Sequence, residues 1–223
     1  MTVPLRPHFL GLSLFGAILV LACSSEPQSS GEADLTENAT QTSPGTMVHG
    51  TAPRASGGFP SVVILAAETD ADMDSPIPTE PAVMDQYNTE FHPGLLLVRA
   101  GQKVLFKNSE DTLHNVHVID IETRDTAFNV ATPVTGAFEY VFESPAIYDV
   151  SCGIHPSMAA FIVVTDSPYS VTADTNGTFS LTNVPPGTYK VTVWNLDPSR
   201  RSEHVVAVEG DATELTLDAM PLG

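Results

Sequence analysis

The stretch Ala146-Ile-Tyr-Asp-Val-Ser-Cys152-Gly-Ile-His155-Pro-Ser-Met158-Ala-Ala-Phe-Ile-Val-Val164 holds the pattern that sets the architecture. Period-2 alternation puts Tyr148, Val150 and Cys152 on one face, so the cysteine closes a strand with its sulfur directed inward. Pro156 breaks the chain into a short loop carrying His155 and Met158, and Phe161 to Val164 opens the next strand. A thiolate, an imidazole and a thioether thus crowd one end of a strand–loop–strand unit.

A further strong ligand is sought upstream, where Leu113-His114-Asn115-Val116-His117-Val118 offers two histidines. Alternation groups His114 with Val116 and Val118, and His117 with Asn115 and Ile119. If the valines face the core, His114 points to the same end as Cys152, but both faces carry apolar residues, so the pattern leans toward His114 without deciding it. Soft donors of this kind select copper over hard cations. A single buried cysteine is more often a small hydrophobe, and a single histidine a core residue with a satisfied ring. Four ligands of three types in strand–loop context make coincidence a poor account of the set. His49, His92, His117 and His204 read as surface or loop residues, with His92 in Phe91-His-Pro-Gly the one to examine as an accessory ligand.

Elsewhere the 223 residues hold 18 prolines and 15 glycines between short alternating runs, with no sustained helical periodicity beyond residue 22. These runs are 61–67, 95–98, 103–107, 115–121, 138–142, 148–152, 161–164, 179–181, 189–194, 205–208 and 215–217. They describe an all-β chain of sandwich type. Two cysteines exclude a disulfide-stapled scaffold. Nine Lys+Arg against 27 Asp+Glu, a formal charge of −18, argue against nucleic-acid binding. The acidic run Thr69 to Asp74 lacks the ligand spacing of a calcium loop and reads as a solvated loop.

Phe9 to Ala22 is uncharged and mostly apolar behind Arg6, too short to span a bilayer and consistent with a secretory signal over residues 1–22. It ends in Val20-Leu21-Ala22-Cys23, which resembles a bacterial lipobox, and this implies lipidation of Cys23 and an extracytoplasmic, membrane-anchored location in a bacterial envelope. Ordinary cleavage near Ala22 is the competing reading. Residues 23–45 are polar and acidic without Lys or Arg, a flexible tether.

The segment from Val83 to Thr165 resembles a cupredoxin, the Greek-key blue copper sandwich of plastocyanin and amicyanin. The resemblance is carried by Val98-Arg-Ala-Gly-Gln-Lys-Val-Leu-Phe-Lys-Asn108, His114-Asn115-Val116 and Cys152-x-x-His155-x-x-Met158. It implies one mononuclear type 1 copper on His114, Cys152 and His155, with Met158 as weak axial ligand and Asn115 tying the two strands together beside the sulfur. A second stretch, Asp174-Thr-Asn-Gly177-Thr-Phe179-Ser-Leu181 followed by Pro185-Pro186-Gly187-Thr-Tyr189, resembles a carboxypeptidase regulatory-like, transthyretin-like sandwich. The expected division is therefore a cupredoxin at 69–166 and a regulatory-like domain at 167–223. The strands in 46–68 either open that second sandwich, so that the cupredoxin is inserted, or form the cupredoxin's own edge. Met84-Asp85-Gln86, Phe91, Asn108 and Tyr189 extend the resemblance to bacterial envelope proteins of plastocyanin-like and methylamine-utilisation-like type.

The expected function is single-electron transfer between envelope redox proteins, with a basic partner such as a cytochrome drawn by the negative charge. Copper capture or storage, and a structural envelope module with a stabilising metal, are the alternatives. Catalysis has the least support, since the remaining histidines are too scattered to build a second centre.

Overall fold

The computed structural model describes residues 45–68 and 75–217. The signal, Cys23, nearly all of the tether and the acidic run at Thr69 lie outside the described residues, as does the chain after Leu217.

Sixteen strands are present among the described residues. In chain order they are β1 (Thr46–Thr51), β2 (Val62–Ala67), β3 (Ala82–Tyr87), β4 (Glu90–His92), β5 (Leu95–Arg99), β6 (Lys103–Asn108), β7 (His114–Asp120) and β8 (Thr126–Thr132). They continue with β9 (Ala137–Val141), β10 (Ala146–Ser151), β11 (Ala159–Thr165), β12 (Tyr169–Thr172), β13 (Thr178–Val184), β14 (Gly187–Trp194), β15 (Ser202–Val208) and β16 (Ala212–Thr216). The protein is all-β, with one 3₁₀ turn at Pro198–Arg200. No helix among the described residues is long and apolar enough to cross a membrane.

Two sheets, ordered β5-β11-β10-β7-β8 and β4-β3-β6-β9, face each other across one core. Met84, Phe91, Val104, Phe106, Val116, Val118, Phe142, Val150 and Ile162 fill it, and Cys152 and Met158 close its end. The alternation that groups Val116 and Val118 with His114 is realised: all three are fully buried, while His117 on the other face is half-exposed. Two further sheets, β13-β1-β16 and β12-β2-β14-β15, enclose a second core around Val48, Leu65, Phe179, Leu181, Tyr189 and Val191. β1 pairs with β13 and β16, and β2 lies between β12 and β14, so strands from both ends of the described chain meet in these sheets while β3 to β11 run between them. Phe161 of β11 and Trp194 of β14 meet at 5.6 Å in a smaller cluster between the two sandwiches.

The strands that alternation did not reveal are β1, β3, β4, β8 and β12. β8, Thr-Ala-Phe-Asn-Val-Ala-Thr, is an edge strand whose only ladder partner is β7; it sets Phe128 and Val130 opposite Val118 and Val116, and a bulge between Val118 and Ile119 of the pair interrupts its alternation. Its register sets Thr132 against His114, which matters for the site.

Candidate metal centre

His114 opens β7, and Cys152 directly follows β10, which pairs antiparallel with β7. The loop to β11 then turns His155 back over both, closed by the Met158 N–H donating to the His155 carbonyl at 3.0 Å. His114 and Cys152 are buried, at 0% and 2% exposure, whereas His155 is half-buried. The His114 and His155 Nδ1 atoms are 3.0 Å apart, and each lies 3.9 Å from the Cys152 sulfur. The centre of that triangle is about 2.1 Å from every corner, within the usual range for imidazole and thiolate donors on a transition metal. These three are the residues the structure brings together as a potential metal site among those described. Met158 is buried at 1% in the same core cluster as Cys152.

Among the described residues, the remaining histidines stand apart from this group. His92 Nε2 faces the Tyr87 carbonyl at 3.1 Å and Glu90 at 3.5 Å, so it contributes nothing to the centre. His204 meets the Ser202 hydroxyl at 2.9 Å.

Asn115 bridges the two ligand strands. Its Oδ1 accepts from the Gly153 N–H at 2.7 Å and from the Cys152 thiol at 3.4 Å, and its Nδ2 donates to Asn129 Oδ1 on β8 at 2.8 Å. Burial pushes the Cys152 thiol up, but hydrogen bonds from the backbone N–H groups of Asn115, His155 and Ile154, with one from His114, outweigh it. The thiol is held at about 7, against an ordinary 9.0. The thiolate is thus favoured by folding: the stability it adds is present above pH 9 and is lost as the pH falls through about 7. A metal bound through this sulfur displaces the thiol proton below that point. Apparent copper affinity is therefore expected to fall about tenfold per pH unit below 7, measurable by competition with a chelator whose own pH dependence is known.

Glu110 is a further residue of the site. Its carboxylate meets His114 Nε2 at 2.5 Å, which leaves Nδ1 bare and aimed at the centre. Glu110 is in turn held by the Thr89 N–H at 2.8 Å. That N–H, then the His114 ring, keeps the carboxyl below its ordinary 4.5. Thr89 sits at φ 56 beside Asn88 at φ 57, a conformation costing a β-branched residue of order 1–3 kcal/mol, which the turn accepts at the point where it holds Glu110. Asn108 organises the intervening loop: its Nδ2 donates to the Thr112 and Thr132 carbonyls, both at 2.8 Å, and its Oδ1 accepts from the Glu110 N–H at 3.0 Å. Nothing in the spacing marks Glu110, because it reaches His114 through irregular backbone. Glu110→Gln should lower copper affinity by roughly 10- to 100-fold, the usual effect of losing the partner of a ligating imidazole. A competition titration of the variant against the parent measures this.

Fold and site together define a two-sheet β-sandwich that carries a His–Cys–His donor group at one end, joined to a second β-sandwich. Over residues 155–219 the chain matches the carboxypeptidase regulatory-like domain family, less than half of its length. The match begins at His155, inside the metal loop, whereas the strands of the second sandwich resume only at Tyr169. No curated protein matches the chain. Similar solved structures include a purple cupredoxin from Nitrosopumilus maritimus, at 24% identity and a TM-score of 0.34 over 38% of this chain and 99% of the other. A reduced amicyanin variant shows 21% identity and a TM-score of 0.36 over 46% and 99%. A copper-containing nitrite reductase from Thermus scotoductus shows 24% and 0.36 over 43% of this chain but 24% of its own.

Proposed function

We propose that the chain is an electron carrier with one mononuclear type 1 copper on His114, Cys152 and His155, Met158 serving as axial thioether. The triangle of two imidazole nitrogens and one sulfur, already at ligating distances from a common centre, carries this reading. Copper bound there would supply a reversible one-electron couple. The protein holds the donors still: Glu110 fixes the His114 ring, Asn115 pins the backbone beside Cys152 by accepting the Gly153 N–H, and the buried core behind Cys152 and Met158 leaves them little room to rearrange. His155, half-buried between exposed Ile154 and Pro156, is the route by which an electron leaves. The formal charge of −18 favours a basic redox partner such as a cytochrome, bound more weakly as salt rises.

In this proposal Cys23 carries the lipid, the chain works outside a bacterial cytoplasmic membrane, and it carries electrons without catalysing a reaction. Residues 46–68 and 167–223 form one regulatory-like unit into which the cupredoxin is inserted, a division supported by the pairing of β1 and β2 with strands after Tyr169.

The test is Cu(II) titration followed by voltammetry. An intense blue band at one equivalent with fast, reversible self-exchange supports the carrier. A colourless protein that still binds Cu(I) tightly replaces it with copper capture, and no copper binding leaves only a structural module.

A further inference from the structure

A cleft of about 940 Å³ lies away from the metal centre, between the two sandwiches. Ile147 and Val163 of the first sandwich and Ile64 and Trp194 of the second make its apolar walls. Trp194 is 4% exposed and its indole N–H has no acceptor among the described residues, an uncommon state for a buried donor. The Arg201 guanidinium stacks over the same ring at 5.5 Å from its centroid. Its Nε donates to the Asn195 carbonyl at 2.8 Å, which anchors the side chain, while no carboxylate of the described residues pairs with it.

Two of the three acids of the cleft are engaged elsewhere. Glu203 pairs with Lys190 at 2.8 Å. Asp120 Oδ1 accepts the Glu122 and Thr123 N–H groups at 2.8 and 3.0 Å. Glu122 stands exposed at the rim. Arg201 is the cleft's one cation among its lining residues, and burial holds its pKa below the ordinary value, so its charge is partly stripped of water. A desolvated guanidinium gains most from a planar anion that takes two parallel N–H bonds. The volume suits a small organic molecule, since pockets for such ligands run from roughly 300 to 1,000 Å³ with apolar walls and few polar anchors.

We infer that this cleft binds a small apolar carboxylate, its headgroup paired with Arg201 and its aliphatic or aromatic body laid against Ile64, Ile147 and Val163. The site is independent of the copper reading. It also gives the second sandwich a role, because neither sandwich alone supplies both the cation and the opposing wall.

Trp194 is the only tryptophan in the chain, so its fluorescence reports the cleft directly. The experiment titrates the full chain with decanoate below its micelle concentration, in about 0.15 M salt so that the protein's net charge is screened beyond ~8 Å. Decylammonium serves as the control of equal apolar length, and calorimetry provides the stoichiometry. Saturable binding of one decanoate with a shift in Trp194 emission is the expected result. Arg201→Gln should weaken it by at least about tenfold, the loss of one charge-assisted pair, with Arg201→Lys falling between. Ala146→Asp places a like charge in the cleft without touching Trp194 and should abolish binding, which keeps the test decisive if the Arg201 variants fold poorly. Decanoate that does not saturate, decylammonium that binds as tightly, or Ala146→Asp that binds decanoate like the parent would each overturn the inference.

Discussion

Cys152→Ala is expected to remove the intense visible absorption of the Cu(II)-loaded protein entirely while leaving a folded chain. The thiolate is the one charged donor of the three, and the intense band of such centres is a sulfur-to-copper transition, so two imidazoles without the sulfur yield at most a pale complex. Folding should survive because Cys152 caps the end of the core rather than filling its middle: Val150, Ala160 and Ile162 pack behind it. Replacing a thiol by a hydrogen in a buried position costs on the order of 1 kcal/mol, comparable to deleting one buried methyl group. The measurement pairs an absorption titration with a thermal melt of the copper-free protein. A blue variant would remove Cys152 from the centre, and an unfolded one would make the residue structural.

The second large effect concerns the other sandwich. Gly50 on β1 lies beside Leu215 of the parallel strand β16. A Cβ there would stand 1.8 Å from the Leu215 carbonyl oxygen and 2.7 Å from its carbonyl carbon. Both are backbone atoms held in the ladder, so no rotamer change can relieve the contact. Gly50→Val is therefore expected to cost at least about 3 kcal/mol, the upper part of the overpacking range. For a chain of this length that is roughly a 10 °C fall in the melting transition of the second sandwich, with Trp194 fluorescence as the probe. The blue band of the loaded protein should persist below that transition, since none of the donors lies on β1 or β16. An unchanged melting temperature would mean that the β1–β16 pairing is not formed in solution.

How much of the site could be read beforehand follows from how far apart its parts lie in the chain. Cys152, His155 and Met158 fall within seven residues, and the alternation through Tyr148 and Val150 orients the sulfur, so local chemistry describes that half of the centre. The choice between His114 and His117 stayed open because β7 is buried on one face and partly covered on the other. The β7–β10 ladder settles it by placing His114 at the end where Cys152 leaves the sheet. Glu110 and Thr89 were invisible for another reason. They act through a backbone N–H and an irregular loop, neither of which leaves a period in the side-chain pattern. β8 was missed because its inward face amounts to Phe128 and Val130 alone, and a bulge in its pairing with β7 breaks the alternation beside them.

Composition and local pattern by themselves determined an all-β chain and the soft donors of the 152–158 loop, since these depend on neighbours within a few residues. Only the tertiary structure decided that β1 and β2 pair with strands more than 100 residues away, that Glu110 orients His114, and that Arg201 and Trp194 face the wall of the other sandwich across a cleft. Each of these rests on contacts between distant segments, made when packing of two cores offsets the entropy of closing long loops, and such contacts leave no mark on either segment read alone.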